Sequence, residues 1–171
     1  MKLAALPPPQ CSAPQGQQRV EFHVGVTCQS SSGVSPQRGY TVDDMRSSNH
    51  QLILLLEDDE GDQVLIQRCL RAASTPTRVM TVSTLEGAQK LLATERFDCI
   101  LMDWNLPDAT GIQAMEALSE AVPVVVLTGG DQSMAETALQ RGAQDYLLKD
   151  EITPSMLDKS IRYAIERTRA H

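Results

Sequence analysis

The chain has 171 residues, a formal charge of −7 and 42% apolar residues, the balance of an ordinary water-exposed globular protein with room for one domain and a tail. No apolar run approaches the roughly 20 residues that span a bilayer, and the acidic balance disfavours direct binding to nucleic acid. The LAAL stretch after Lys2 is too short for a secretory core, so the expected location is the cytoplasm.

Residues 1–50 differ from the rest. Pro, Gln, Ser and Gly fill 22 of these positions. Such a segment buries too little apolar surface to offset its chain entropy, and a disordered tail is expected. Val20–Val26 alternates with period two and is the one candidate edge strand in it, although Gly25 weakens it. Met45 stands just before the regular part and is an alternative natural start. The tail carries four basic and three acidic side chains, which leaves −8 on the remainder. That charge suits a cation site or a basic protein partner, and also serves solubility. Cys11, Cys28, Cys69 and Cys99 show no C-x-x-C spacing. Reduced thiols are expected, and a zinc site is not.

From residue 51 the pattern becomes regular. Strands are predicted at about 51–57, 77–82, 98–103, 122–128 and 144–148, with helix-period segments between them. The first helix is marked by the stripe Ile66, Cys69, Leu70 and Ala73. The second opens with capping-box spacing from Ser83 to Glu86. Ile112, Met115 and Leu118 mark the third. Asp131 is the expected cap of the fourth, and Gly142 follows its last turn, where a left-handed residue is wanted. Thr153-Pro154 opens the fifth, which should bury Leu157, Ile161 and Ala164. Strands that are apolar on consecutive residues, such as LILLL and VVVL, belong to a parallel sheet covered on both faces.

Each of these runs stops at a residue that is costly to bury. Glu57-Asp58 follow LILLL, Asp103 follows CILM, Thr128 follows VVVL and Lys149 follows YLL. In an open parallel sheet the ligand crevice lies outside the carboxyl ends of the strands. Carboxylates, a hydroxyl and an ammonium meeting there can hold a divalent cation and a phosphoryl group. Three carboxylates at one edge repel each other, and a cation would relieve them.

Residues 51–168, with this ordered set of anchors, resemble the receiver domain of two-component response regulators. The resemblance implies an α/β, flavodoxin-like, doubly wound five-stranded parallel sheet of order 2-1-3-4-5 with five helices, here residues 51–171 behind the tail of residues 1–50. It implies that Asp103 in LMDWNLPDATG accepts a phosphoryl group from a sensor histidine kinase or a histidine phosphotransfer protein. Mg2+ or Mn2+ would be held by Asp58, Asp103 and the backbone carbonyl of Asn105, with Glu57 acting through water and Asp59 left solvated. Lys149 would pair with the phosphoryl group, Thr128 would hydrogen-bond it, and Tyr146 would act as the switch aromatic. Gly129-Gly130 leave room beside the site. The output face implied is the fourth helix, fifth strand and fifth helix, which is also the candidate homodimer surface.

Where the family usually has proline after the lysine, this chain has Asp150. A trans Lys149–Asp150 peptide is expected, because a non-proline cis bond costs roughly 3–4 kcal/mol. The chain is therefore expected to be a phospho-accepting switch rather than an enzyme acting on metabolites. A true phosphatase would want a carboxylate where Asn105 stands. The other readings are a phosphorylation-independent docking module and a receiver fragment of a larger cyclic-dinucleotide or sensor-type regulator, into which SIRYAIERTRAH would continue as a helical linker.

Overall fold

The computed structural model describes residues 50–130 and 132–170. The expectations for the tail, the Val20–Val26 strand, Met45, Cys11, Cys28 and the Asp131 cap lie outside the described residues.

Five parallel strands form one sheet in the order β2-β1-β3-β4-β5. They are β1 (Gln51–Leu56), β2 (Thr77–Val82), β3 (Cys99–Asp103), β4 (Val124–Thr128) and β5 (Asp145–Leu148). The central register sets Leu101 beside Val125 and Leu56 beside Met102. The helices are α1 (Glu60–Ala72), α2 (Leu85–Thr94), α3 (Gly111–Leu118), α4 (Gln132–Gln140) and α5 (Pro154–Arg169). A 3-10 turn at Lys149–Glu151 links β5 to α5.

Side chains alternate across a strand, so each apolar run supplies both faces. Leu54, Leu56, Met102 and Val126 pack on the side of α2, α3 and α4. Ile53, Leu55, Leu101 and Leu127 pack against α1 and α5. This double coverage explains why the strands are apolar at consecutive positions.

The helix starts follow their local chemistry, with two corrections. The cap of α2 is Thr84, whose hydroxyl accepts from the Gly87 N–H at 3.1 Å, and not Ser83. Helix α2 begins one residue later because Asp108, from the β3–α3 loop, takes the N–H groups of Leu85 and Glu86 at 2.9 and 3.1 Å. Ala73 is the C-cap of α1 and only half-buried, so the buried stripe ends at Leu70. Elsewhere the expectations hold. Gly142 has φ +97° after α4, and Thr153 caps α5 with Pro154 in its first turn. Leu157, Ile161 and Ala164 are buried. Among the described residues no peptide bond is cis, so Lys149–Asp150 is trans. No described helix is long and apolar enough to cross a membrane.

Candidate functional site

The carboxyl ends of β1, β3, β4 and β5 converge, and the polar residues that stop those strands meet there. Glu57 follows β1 and is fully buried, Asp103 ends β3 at 5% exposure, and Thr128 ends β4 fully buried. Lys149 follows β5, and its side chain is 13% exposed. Asp58 is exposed, beyond the end of β1.

Glu57, Asp58 and Asp103 each offer an oxygen within 4.8 Å of the others. These are hard oxygen donors of the kind that Mg2+ and Mn2+ take. Glu57 Oε1 accepts the Asp59 N–H at 3.1 Å. Its Oε2 faces Lys149 Nζ at 2.7 Å without the alignment of a hydrogen bond. A buried carboxylate oxygen with a charge beside it and no directed donor is a natural acceptor for a cation's water. Asp103 Oδ1 accepts the Asn105 N–H at 3.2 Å, and Asp103 Oδ2 lies 3.1 Å from Lys149 Nζ.

Burial pushes the Glu57 carboxyl above its usual range, against the pull of Lys149 and the Asp59 N–H, and the nearby Asp103 pushes the same way. For Lys149, burial works to lower the ammonium's pKa. The hydrogen bond to Asp62 and the pairing with Glu57 and Asp103 outweigh it, so the pKa is raised and the lysine stays charged. The site is thus a charged ammonium set among carboxylates that repel one another.

Thr128 Oγ1 accepts the Gly130 N–H at 2.9 Å and lies 3.9 Å from Met134 Sδ, toward which it donates. Met134 and the half-buried Tyr146 pack on the same core. A Cβ at Gly129 would meet nothing within 4 Å, so the loop after β4 is open there, whereas one at Gly130 would lie 2.5 Å from Met134 Sδ. Asn105 is exposed. Trp104, next to Asp103, covers Gly111 so closely that a Cβ there would lie 2.3 Å from its ring.

The structure therefore brings Glu57, Asp58, Asp103 and Lys149 into one cluster, with Thr128 at the end of the adjoining strand and Tyr146 on β5 beside Val126. Asp59 is exposed, as expected, but also caps α1 by accepting the Asp62 N–H at 2.9 Å. Sequence reasoning missed Asp62, whose carboxylate contacts Lys149 at 2.7 Å, and Gln63, which donates to the Glu57 carbonyl at 2.7 Å. Their place in the first turn after the acidic run, where side chains lean back toward the preceding strand end, puts both near the end of β1, but nothing local names Lys149 as the partner of Asp62.

The family profile described as "Response regulator receiver domain" matches residues 53–162. The KDP operon transcriptional regulatory protein KdpE of Escherichia coli (strain K12) is 37% identical over 102 residues, covering 57% of this chain and 44% of KdpE. The methanogenesis regulatory protein FilR1 of Methanothrix harundinacea (strain 6Ac) is 30% identical over 124 residues, covering 68% of this chain and 28% of FilR1. The chain thus spans less than half the length of these two relatives. Among solved structures, the receiver domain of the sensor histidine kinase PA1611 from Pseudomonas aeruginosa PAO1 is 32% identical with a TM-score of 0.60. The match covers 68% of this chain and 98% of that one, which holds a magnesium ion coordinated in its active-site cleft.

Proposed function

This chain belongs to the response regulator receiver domain family, and from that premise we propose that Asp103 is its phosphoryl acceptor, with a histidine kinase or histidine phosphotransfer protein as donor. Residues 51–171 are the receiver in this reading, residues 1–50 are its tail, and the cytoplasm is its place of work. The observation that carries the proposal is the pairing of Asp103 Oδ2 with Lys149 Nζ at 3.1 Å inside a carboxylate cluster able to take a cation.

A carboxylate oxygen of Asp103 attacks the phosphorus. The P–N bond to the donor histidine breaks with its electron pair passing to the ring nitrogen, and an acyl phosphate remains. Asp58, Asp103 and the Asn105 carbonyl would hold Mg2+ or Mn2+, with Glu57 reaching it through water. That cation, when bound, neutralises charge on the carboxylates and on the phosphoryl oxygens. Lys149 offers its ammonium to a phosphoryl oxygen. Thr128 turns its hydroxyl from Met134 toward another. The space vacated lets Tyr146 move inward, and the α4–β5–α5 surface changes shape. Leu139 of α4 is exposed, which gives that surface an apolar contact for a target or a second copy. The receiver is a switch and not a classical enzyme, and it assists its own phosphorylation and hydrolysis through these same residues.

The test is intact mass after incubation with phosphoramidate, with and without magnesium. One magnesium-dependent adduct is expected, absent in Asp103→Asn while circular dichroism stays native. Asp58→Asn should weaken the magnesium response about tenfold, the loss of one directly coordinating charge. Titrating the fluorescence of Trp104, the chain's single tryptophan, reads that response. Normal uptake by Asp103→Asn would place the chemistry elsewhere. No uptake by the parent protein would favour a docking module that needs no phosphate.

A further inference from the structure

Three carboxylates surround Lys149, and one of them has no part in the chemistry above. Nζ lies 2.7 Å from Glu57 Oε2, 2.7 Å from Asp62 Oδ2 and 3.1 Å from Asp103 Oδ2. The Asp62 contact has the alignment of a hydrogen bond. An ammonium has three N–H donors, and the one directed at Asp62 is aligned as a hydrogen bond whereas the Glu57 contact is a close ion pair without that alignment. A phosphoryl oxygen arriving at Asp103 competes with all three carboxylates for the ammonium.

The three neighbours are not equal in that contest. Glu57 and Asp103 belong to the cluster that can share a cation, and Asp62 does not. A cation there competes with Lys149 for their charge and loosens their hold. Asp62 is left as the undiminished partner. Its place is fixed locally, in the first turn of α1, where the helix dipole favours a carboxylate. The Asp62 side chain is 34% exposed, so it can be changed without opening the core.

Resting on the phosphoryl-transfer reading above, we infer that Asp62 is a positioning residue that holds the Lys149 ammonium against α1 and restrains it from the phosphoryl group at Asp103. It acts as a brake on uptake. Its release should speed labelling about three- to tenfold, the range spanned by a partly exposed charge-assisted hydrogen bond.

Two readouts test this on the full chain. The first is the rate of magnesium-dependent labelling by phosphoramidate, followed by intact mass. Asp62→Asn should be faster by that factor. Asp62→Glu, which keeps the charge, should stay within about twofold of the parent, a margin that a few tenths of a kcal/mol allows. Glu60→Gln, which removes an exposed neighbouring charge, should leave the rate unchanged. The second readout is the NMR signal of the Lys149 ammonium, with and without magnesium. It should move in Asp62→Asn and be kept in Asp62→Glu.

An unchanged labelling rate in Asp62→Asn, or an equal gain in Glu60→Gln, overturns the inference. If neither parent nor variants take phosphate, the functional reading fails by itself. The ammonium signal then decides the lysine contact: moved by Asp62→Asn it stands, unmoved it falls as well.

Discussion

On the face of the sheet that carries α1 and α5, Ile53, Leu55, Leu101 and Leu127 meet Ile66, Leu157 and Ile161, and all are enclosed. Among the described residues, the half-buried apolar groups packed against that face are Val79 and Ile152. The opposite face, under α2, α3 and α4, also has a buried centre, but a broad margin of half-buried groups surrounds it, among them Met80, Leu91, Leu92, Met134 and Tyr146. The site straddles this difference. Lys149 and Glu57 are held toward α1 through Asp62 and Gln63, on the tight side. Thr128, Met134 and Tyr146 belong to the loose side. A group that must keep its charge in place gains from rigid walls. A group that must move gains from neighbours that are not close-packed, because close-packed interiors resist small displacements.

The largest expected effect compares one leucine from each face. Leu101→Ala removes a fully buried side chain from the tight face and should cost about 3 kcal/mol, since little around it can relax. Leu92→Ala trims a half-buried side chain on the loose face and should cost about 1 kcal/mol. Urea unfolding measures both. Equal losses would mean that the faces do not differ in packing and would break the comparison.

Gly111→Ala asks how far the loose face yields. The new methyl group would sit 2.3 Å from the Trp104 ring. If Trp104 is fixed, overpacking should cost about 2 kcal/mol. A loss under about 0.5 kcal/mol, with a shifted Trp104 emission, would show that the ring steps aside, and that the loose face extends to the neighbour of Asp103. The expected outcome is the larger loss, because the Trp104 ring is buried in the core.

The fold was legible because the central strands β1, β3 and β4 announce themselves twice. Each is apolar at consecutive positions, as a doubly covered strand must be, and stops at a polar residue that is costly to bury. Those stops also disclosed which residues would meet, since a parallel sheet sends all its strand ends to one edge. The contacts that stayed hidden are made between side chains and groups whose approach depends on the finished packing. Asp62 reaches Lys149 across 87 positions of sequence, and no local spacing encodes that. The start of α2 was misread for the same reason. Ser83 and Glu86 have the right spacing, but Asp108 arrives from another loop to take the first N–H groups, and Thr84 becomes the cap.

Asp108 gives the smallest and most specific test of how the loose face is pinned. Its carboxylate accepts the Leu85 N–H and then the Glu86 N–H, and these bonds hold its pKa below the usual 3.8. A carboxyl with a depressed folded pKa contributes stability above its unfolded value and loses it as pH falls through the folded one. The contribution of Asp108 should therefore be complete at neutral pH and fade below about pH 3.8. Because the group is exposed, water screens the contact and the effect is modest. Asp108→Ala should lower Tm by about one or two degrees at pH 7. The gap to the parent protein should close as the pH drops through the acid range. A gap that persists unchanged in acid would assign the loss to loop packing instead of to the charged bond across to α2. A gap absent at pH 7 would mean that α2 holds its place without the loop that follows Asp103. Its packing on the sheet through Ala88 would then be enough to hold it.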